Sequence, residues 1–140
     1  MFDENITPEA LNQMSRDNML AHLGIEFTDV AQDSLTARMP VDHRTRQPMG
    51  LLHGGASVAL AESLGSVASY LLVDSQKYAC VGLEINANHL KGVREGFVYG
   101  KVRPLHVGRR THVWEIRVTN EQQHLVCISR LTVAVIEHQP

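Results

Sequence analysis

Glu62 is a carboxylate set among Leu60, Ala61 and Leu64, in a stretch that otherwise reads as an apolar helix. An unpaired charge in such surroundings is costly. Its neighbours one helical turn away are Val58, Ala59, Gly65 and Ser66, so no lysine or arginine of the same helix can pair with it. Three readings stay open: Glu62 marks a narrow wet stripe, pairs with an arginine from another element, or performs acid–base or nucleophilic chemistry. His53-Gly54-Gly55 opens the same helix. The first turn of a helix presents N–H groups without internal partners at the positive end of its dipole. Glycine there lets another molecule approach the backbone. Such an N–H can stabilise an oxygen that gains charge when a carbonyl is attacked. The plainer readings are close packing of the helix end for the glycines and a cap or hydrogen-bonded core imidazole for His53.

Gly54 and Glu62 are eight residues apart, hence about 12 Å along one helix. They cannot both touch one reacting carbon. If both act, Glu62 of one subunit must meet Gly54 of another, and the site straddles a dimer interface.

The surrounding elements follow from pattern. Thr7-Pro8-Glu9 is a helix start, with helical character continuing past a break near residues 15–17 to a stop at Gly24. Residues 25–30 and 34–41 read as strands around a polar turn, the second alternating Leu35, Ala37, Met39 and Val41 with Thr36, Arg38 and Pro40. Residues 42–52 form a loop marked by Arg44, Arg46, Pro48 and Gly50. The helix from about His53 to Val73 is apolar on nearly every side, which predicts burial all round. Residues 79–89, 96–106, 111–119 and 125–136 are strand-like, and the short turns between them suggest an antiparallel meander. One buried helix facing a long, curved antiparallel sheet is α+β, in a single domain over residues 1–140.

Composition excludes several classes. The 140 residues are 44% apolar and 20% charged, enough for a packed core. With 13 basic and 15 acidic residues the net charge is −2, so the whole surface attracts neither nucleic acid nor anionic membrane. Cys80 and Cys127 have no metal-ligand or redox spacing and fit small apolar positions in a reducing compartment. The acidic start Met1-Phe2-Asp3-Glu4-Asn5 lacks a signal-peptide layout, and no apolar run spans a bilayer. The expectation is a cytoplasmic protein. No HExxH or comparable spacing calls for a metal, and no cofactor is implied.

Basic residues gather at strand ends: His89, Lys91 and Arg94 in one group, Arg103, His106, Arg109 and Arg110 in another. They are either solvated strand-end charges or partners for phosphates. Nucleic acid is disfavoured, because no aromatic residues interleave with them.

The run Gln47-Pro48-Met49-Gly50-Leu51-Leu52-His53-Gly54-Gly55-Ala56, followed by Leu60-Ala61-Glu62-Ser63-Leu64-Gly65-Ser66, resembles the signature of hotdog-fold acyl-CoA thioesterases. The similar branch acts on aryl-CoA: glutamate-dependent 4-hydroxybenzoyl-CoA thioesterases and the 1,4-dihydroxy-2-naphthoyl-CoA thioesterases of menaquinone biosynthesis. Residues 18–24, 83–89 and 104–109 extend the resemblance over nearly the whole chain. It implies a hotdog fold, dimers pairing into a homotetramer, and hydrolysis of an aromatic acyl-CoA. It also implies Glu62 as nucleophile or general base, Gly54 as the oxyanion N–H, and Gln47 and His53 as groups orienting the thioester or the water. Ser66 falls near the aryl group, and Ser63, His89, Arg109 and Arg110 among the substrate and CoA contacts. An acyl-carrier-protein thioester is the alternative substrate; a hydratase and a non-catalytic acyl-CoA-binding protein are the readings from other classes.

Overall fold

Thr7 caps the first helix, its Oγ1 accepting from the Ala10 N–H at 3.2 Å with Pro8 at the first helical position. That helix, α1, is Pro8–Met14; α2 is Met19–Leu23, capped by Asn18 and stopped by Gly24 at a φ of 74°. Strands β1 (Glu26–Val30) and β2 (Leu35–Pro40) come next, then helix α3 (Gly54–Tyr70). Four long strands complete the chain: β3 (Tyr78–His89), β4 (Phe97–Val107), β5 (Thr111–Thr119) and β6 (Leu125–Glu137). The computed structural model describes residues 1–139.

The alternating patterns become faces. Leu35, Ala37 and Met39 of β2 and Trp114, Ile116 and Val118 of β5 are fully buried on the sheet's inner side. The six strands form one antiparallel sheet in the order β1-β2-β4-β5-β6-β3. This corrects the meander expected for the last four strands. β4, β5 and β6 do follow one another, but β3 pairs with β6 at the far edge. β4 instead joins β2, from Leu35↔Val102 to Pro40↔Phe97. The connection at residues 90–96 crosses the end of the sheet and is fastened there, with the Leu90 N–H donating to Val126 O and the Leu52 N–H to Val93 O. A glycine-containing link of this length serves a hairpin or a crossover equally well, so local chemistry did not distinguish them.

Helix α3 lies across the inner face. Leu60, Ala61, Leu64 and Ala68 have no accessible surface, each large one contributing about 1.5–3 kcal/mol of burial. The approach is close because glycines allow it. A Cβ on Gly100 of β4 would stand 2.6 Å from Leu64 Cδ1, and Gly65 of the helix lies directly against the Leu131 side chain of β6. The C-terminal end of α3 is tied to β5 through buried Ser69. Its Oγ accepts from the Trp114 indole N–H at 2.7 Å and lies 2.9 Å from His112 Nδ1. Burial pushes the His112 pKa down.

The helix is not covered all round. Val58, Ala59, Glu62, Ser63 and Ser66 are half-buried and Tyr70 is exposed. The sheet ends at β3, and no described residue lies beyond it to cover that flank. Cys80 and Cys127 are free thiols, opposite Val135 and His89 respectively, and so lie near opposite ends of the β3–β6 ladder.

Candidate active site

The loop carrying Gln47 is held from both sides. Buried Thr45 donates its hydroxyl to Pro40 O at 2.7 Å, and Arg46 Nε donates to Arg94 O at 2.9 Å. Gln47 closes a tight turn, its N–H donating to Leu51 O and its carbonyl accepting from the Gly50 N–H. The side-chain Oε1 accepts from the Met49 N–H at 2.5 Å. That bond orients the amide so that its NH₂ half is the one left to donate.

His53 is the cap of α3. Its own N–H donates to Thr45 O at 2.8 Å, and its Nδ1 accepts from the Gly55 N–H at 2.8 Å. An accepting Nδ1 leaves the proton of the neutral ring on Nε2, in an exposed position. The Gly55 donor is therefore taken, whereas the Gly54 N–H has no hydrogen-bond partner among the described residues. The His89 ring occupies the space where a Gly54 side chain would be: a Cβ there would meet Nε2 at 2.9 Å. Gln47, Gly54, Ser57 and His89 line one open cavity of about 430 Å³ at the helix start.

Glu62 lies two turns further along the exposed flank. Among the described residues it has no ion pair and no side-chain hydrogen bond, so the arginine-paired reading has no support within the chain. Its carboxylate rests over β3, with Oε1 2.7 Å from where a Cβ on Gly82 would be. Gly82 was overlooked in the sequence, although a glycine inside a strand pattern signals a bulge or close approach. Both occur here, for the β3–β6 register shifts between Gly82 and Glu84. Ser63 donates its hydroxyl to Ala59 O at 2.6 Å, which commits its proton to the helix backbone. Ser66 sits one turn beyond Glu62 on the same half-buried flank.

Gln47, His53, Gly54 and His89 are brought together at one end of α3; Glu62, Ser63 and Ser66 share its middle. Arg109 and Arg110 are exposed in the β4–β5 turn. The Arg110 carbonyl accepts from Val135, which pairs with Cys80 at the other end of β3 from His89. Cys80 and His89 are nine positions apart along the strand, about 30 Å. One protomer thus does not unite His89 with the two arginines. A surface groove of about 810 Å³ lies on the outer side of the sheet around Tyr99, Lys101 and Arg117 and touches none of these groups.

A bare first-turn N–H and an unpaired carboxylate on one helix, with a free amide donor on the loop before it, are the parts of a site for acyl transfer from a thioester. The thioesterase superfamily model matches residues 49–127, which include Gly54, Glu62 and His89. The 1,4-dihydroxy-2-naphthoyl-CoA hydrolase of Escherichia coli is 53% identical over 136 residues, covering 97% of this chain and 99% of that protein. The proofreading thioesterase EntH of Cronobacter turicensis is 50% identical over 137 residues, covering 97% and 98%. A crystal structure of a mutant thioesterase from Pseudomonas aeruginosa superimposes with a TM-score of 0.95 at 52% identity, covering 98% of this chain and 99% of that one. By sequence and architecture alike, the chain belongs to the thioesterase superfamily, as a thioester hydrolase of the hotdog fold.

Proposed function

We propose that this protein hydrolyses an aromatic acyl-CoA, 1,4-dihydroxy-2-naphthoyl-CoA by preference, to the free acid and CoA, in the menaquinone branch of cytoplasmic metabolism. The observation that carries the reading is Glu62 itself: an unpaired carboxylate on an open helix flank, above Gly82. The likeness to the E. coli hydrolase supports the substrate.

Two chemical routes fit one carboxylate. As a general base, Glu62 takes a proton from water, the hydroxide adds to the thioester carbon, and collapse expels the CoA thiolate. As a nucleophile, it attacks the carbon and expels the thiolate, forming a mixed anhydride that water cleaves to acid and free Glu62. In both, the Gly54 N–H and the Gln47 amide receive the charge that develops on the carbonyl oxygen. His53, with its proton on Nε2, points a second donor outward from the cap.

The site is completed by a second copy. β3 is a twelve-residue edge strand with its outer backbone row unpaired, and Leu83 on it is 62% exposed. Such an edge invites another strand. Antiparallel pairing of two β3 edges sets Glu62 of one protomer beside the helix start of the other. It also carries one protomer's Arg109 and Arg110 toward the other's His89, where CoA phosphates need cations. Two such dimers form the homotetramer in this reading. The EntH relative favours an aryl-carrier-protein thioester as the second candidate substrate.

A panel of aryl, short-chain and long-chain acyl-CoA and aryl-carrier-protein thioesters, run on wild type and Glu62→Gln, tests the proposal. The expected result is a preference for aryl-CoA and a fall in kcat of at least about 100-fold in the variant. Preference for long aliphatic chains sinks the substrate, and an unimpaired Glu62→Gln sinks the chemistry. Single-turnover hydrolysis in heavy-oxygen water, followed by a search for label in Glu62, separates nucleophile from base.

A further inference from the structure

The strand-end histidine His89 looked in sequence like one of several phosphate partners, yet its ring rests against the start of α3 while the residue stays exposed at the sheet edge. It sits on the sheet's inner face, opposite buried Cys127, with its tip against the Gly54 backbone. Three ring atoms, Nε2, Cε1 and Cδ2, fall within 2.9 to 3.3 Å of the Cβ position that Gly54 leaves empty. The nitrogen is the nearest of the three, so the ring points its polar end at the helix start.

Neither ring nitrogen has a hydrogen-bond partner among the described residues. The same holds for the Gly54 N–H beside it, and Gln47 lines the same cavity. A Cβ stands about 2.5 Å from its own backbone nitrogen, so Nε2 lies at most about 5.4 Å from the Gly54 nitrogen. Two N–H donors can share one oxygen across as much as roughly 5.8 Å. One carbonyl oxygen is therefore within reach of both donors. The geometry points to His89 as a catalytic residue: its Nε2–H is a further donor, beside the Gly54 N–H and the Gln47 amide, to the thioester carbonyl oxygen. This rests on the thioesterase reading above and deepens it. It also explains why position 54 lacks a side chain, since any Cβ would displace the ring.

The two roles for His89 separate on the length of the substrate. A phosphate partner matters only when CoA's nucleotide is present; a carbonyl donor matters for any thioester. The experiment compares 4-hydroxybenzoyl-CoA with the 4-hydroxybenzoyl thioester of N-acetylcysteamine, which carries no phosphate, on wild type, His89→Ala and His89→Gln. Expected for His89→Ala is a fall in kcat of about 100-fold on both thioesters with KM changed little. His89→Gln, whose amide can still donate near the Nε2 position, should recover about tenfold of that loss. Matching melting temperatures for the two variants would assign that difference to the donor and not to folding. A loss confined to KM for the CoA ester overturns the inference, as does a Gln variant no faster than the Ala variant. Wild-type protein inert toward both thioesters would overturn the reaction itself, and this role with it.

Discussion

Helix α3 meets the sheet at two kinds of crossing, and both are made possible by glycine. On the covered flank, Gly100 and Gly65 bring backbone and side chain so close that leucines fill the gap: Leu60 and Leu64 against the first, Leu131 against the second. On the open flank beside β3, Gly82 and Gly54 do the same, but Glu62 and His89 fill the gaps. Close approach is therefore not the mark of a site. What differs is the chemistry of the occupant and the position of β3 as the last strand of the sheet. In the core the space is dry and apolar on all sides; at the edge it keeps one side open, so a carboxylate and an imidazole can stay unpaired without being sealed from water.

That contrast predicts opposite costs for one substitution. Gly82→Ala places a methyl group 2.7 Å from Glu62 Oε1. The carboxylate is the end of a flexible side chain and swings aside, so stability in urea unfolding should hold within about 0.5 kcal/mol. A displacement of this size at a reacting group should lower kcat about 100-fold. If Gly82→Ala loses stability and keeps kcat, the open flank is a packing surface after all.

Gly100→Ala is the counterpart. Its methyl group would meet Leu64 Cδ1 at 2.6 Å and Leu60 Cδ2 at 3.2 Å, both fully buried. Overpacking of this kind costs about 1–3 kcal/mol, read as a lower urea midpoint at unchanged slope. The folded fraction should retain wild-type kcat, because the leucines lie on the side of α3 away from Glu62. Loss of activity without loss of stability would erase the distinction between the two flanks.

The smallest expected effect concerns the end of α3. Burial holds His112 below its ordinary pKa of 6.5, so it is neutral beside Ser69 in the folded protein. The unfolded chain then binds more protons as pH falls below 6.5, and stability rises with pH across that window. The contribution is complete above the ordinary value and is lost as pH drops toward the depressed one. A His112→Asn variant should show a shallower dependence of unfolding free energy between about pH 8 and pH 5. Since this tie serves packing, kcat near neutral pH should not change; a marked loss would extend the functional region to the helix end.

Much of this was legible in the residues. The alternation of Leu35, Ala37 and Met39 with Thr36, Arg38 and Pro40 identified a strand and its buried face, and Thr7 and Gly24 marked helix ends by their own local chemistry. Glu62 and Gly54 drew attention because a carboxylate among apolar neighbours and a glycine at a helix start each conflict with ordinary local preference. Less legible was which flank of α3 stays open. Its surface is mostly alanine, valine, serine and glycine, and residues so small pack against a sheet or face a partner with equal ease. Gly82 could have been found as a glycine interrupting a strand, but not its partner Glu62, twenty residues earlier in the chain.

By itself the sequence determined most of the elements, the fold class and which carboxylate is the candidate for chemistry, because periodicity, capping and an unpaired charge are properties of neighbours along the chain. Only the tertiary structure decided that β3 lies at the edge next to β6, that Arg109 and Arg110 are far from His89 within a protomer, and that the His89 ring rests on Gly54. Those depend on strand order, and strand order is chosen by how whole faces are buried. Residues 90–96 can close a hairpin or cross the end of a sheet with the same local geometry; the burial of β4 against β2 selects the crossing.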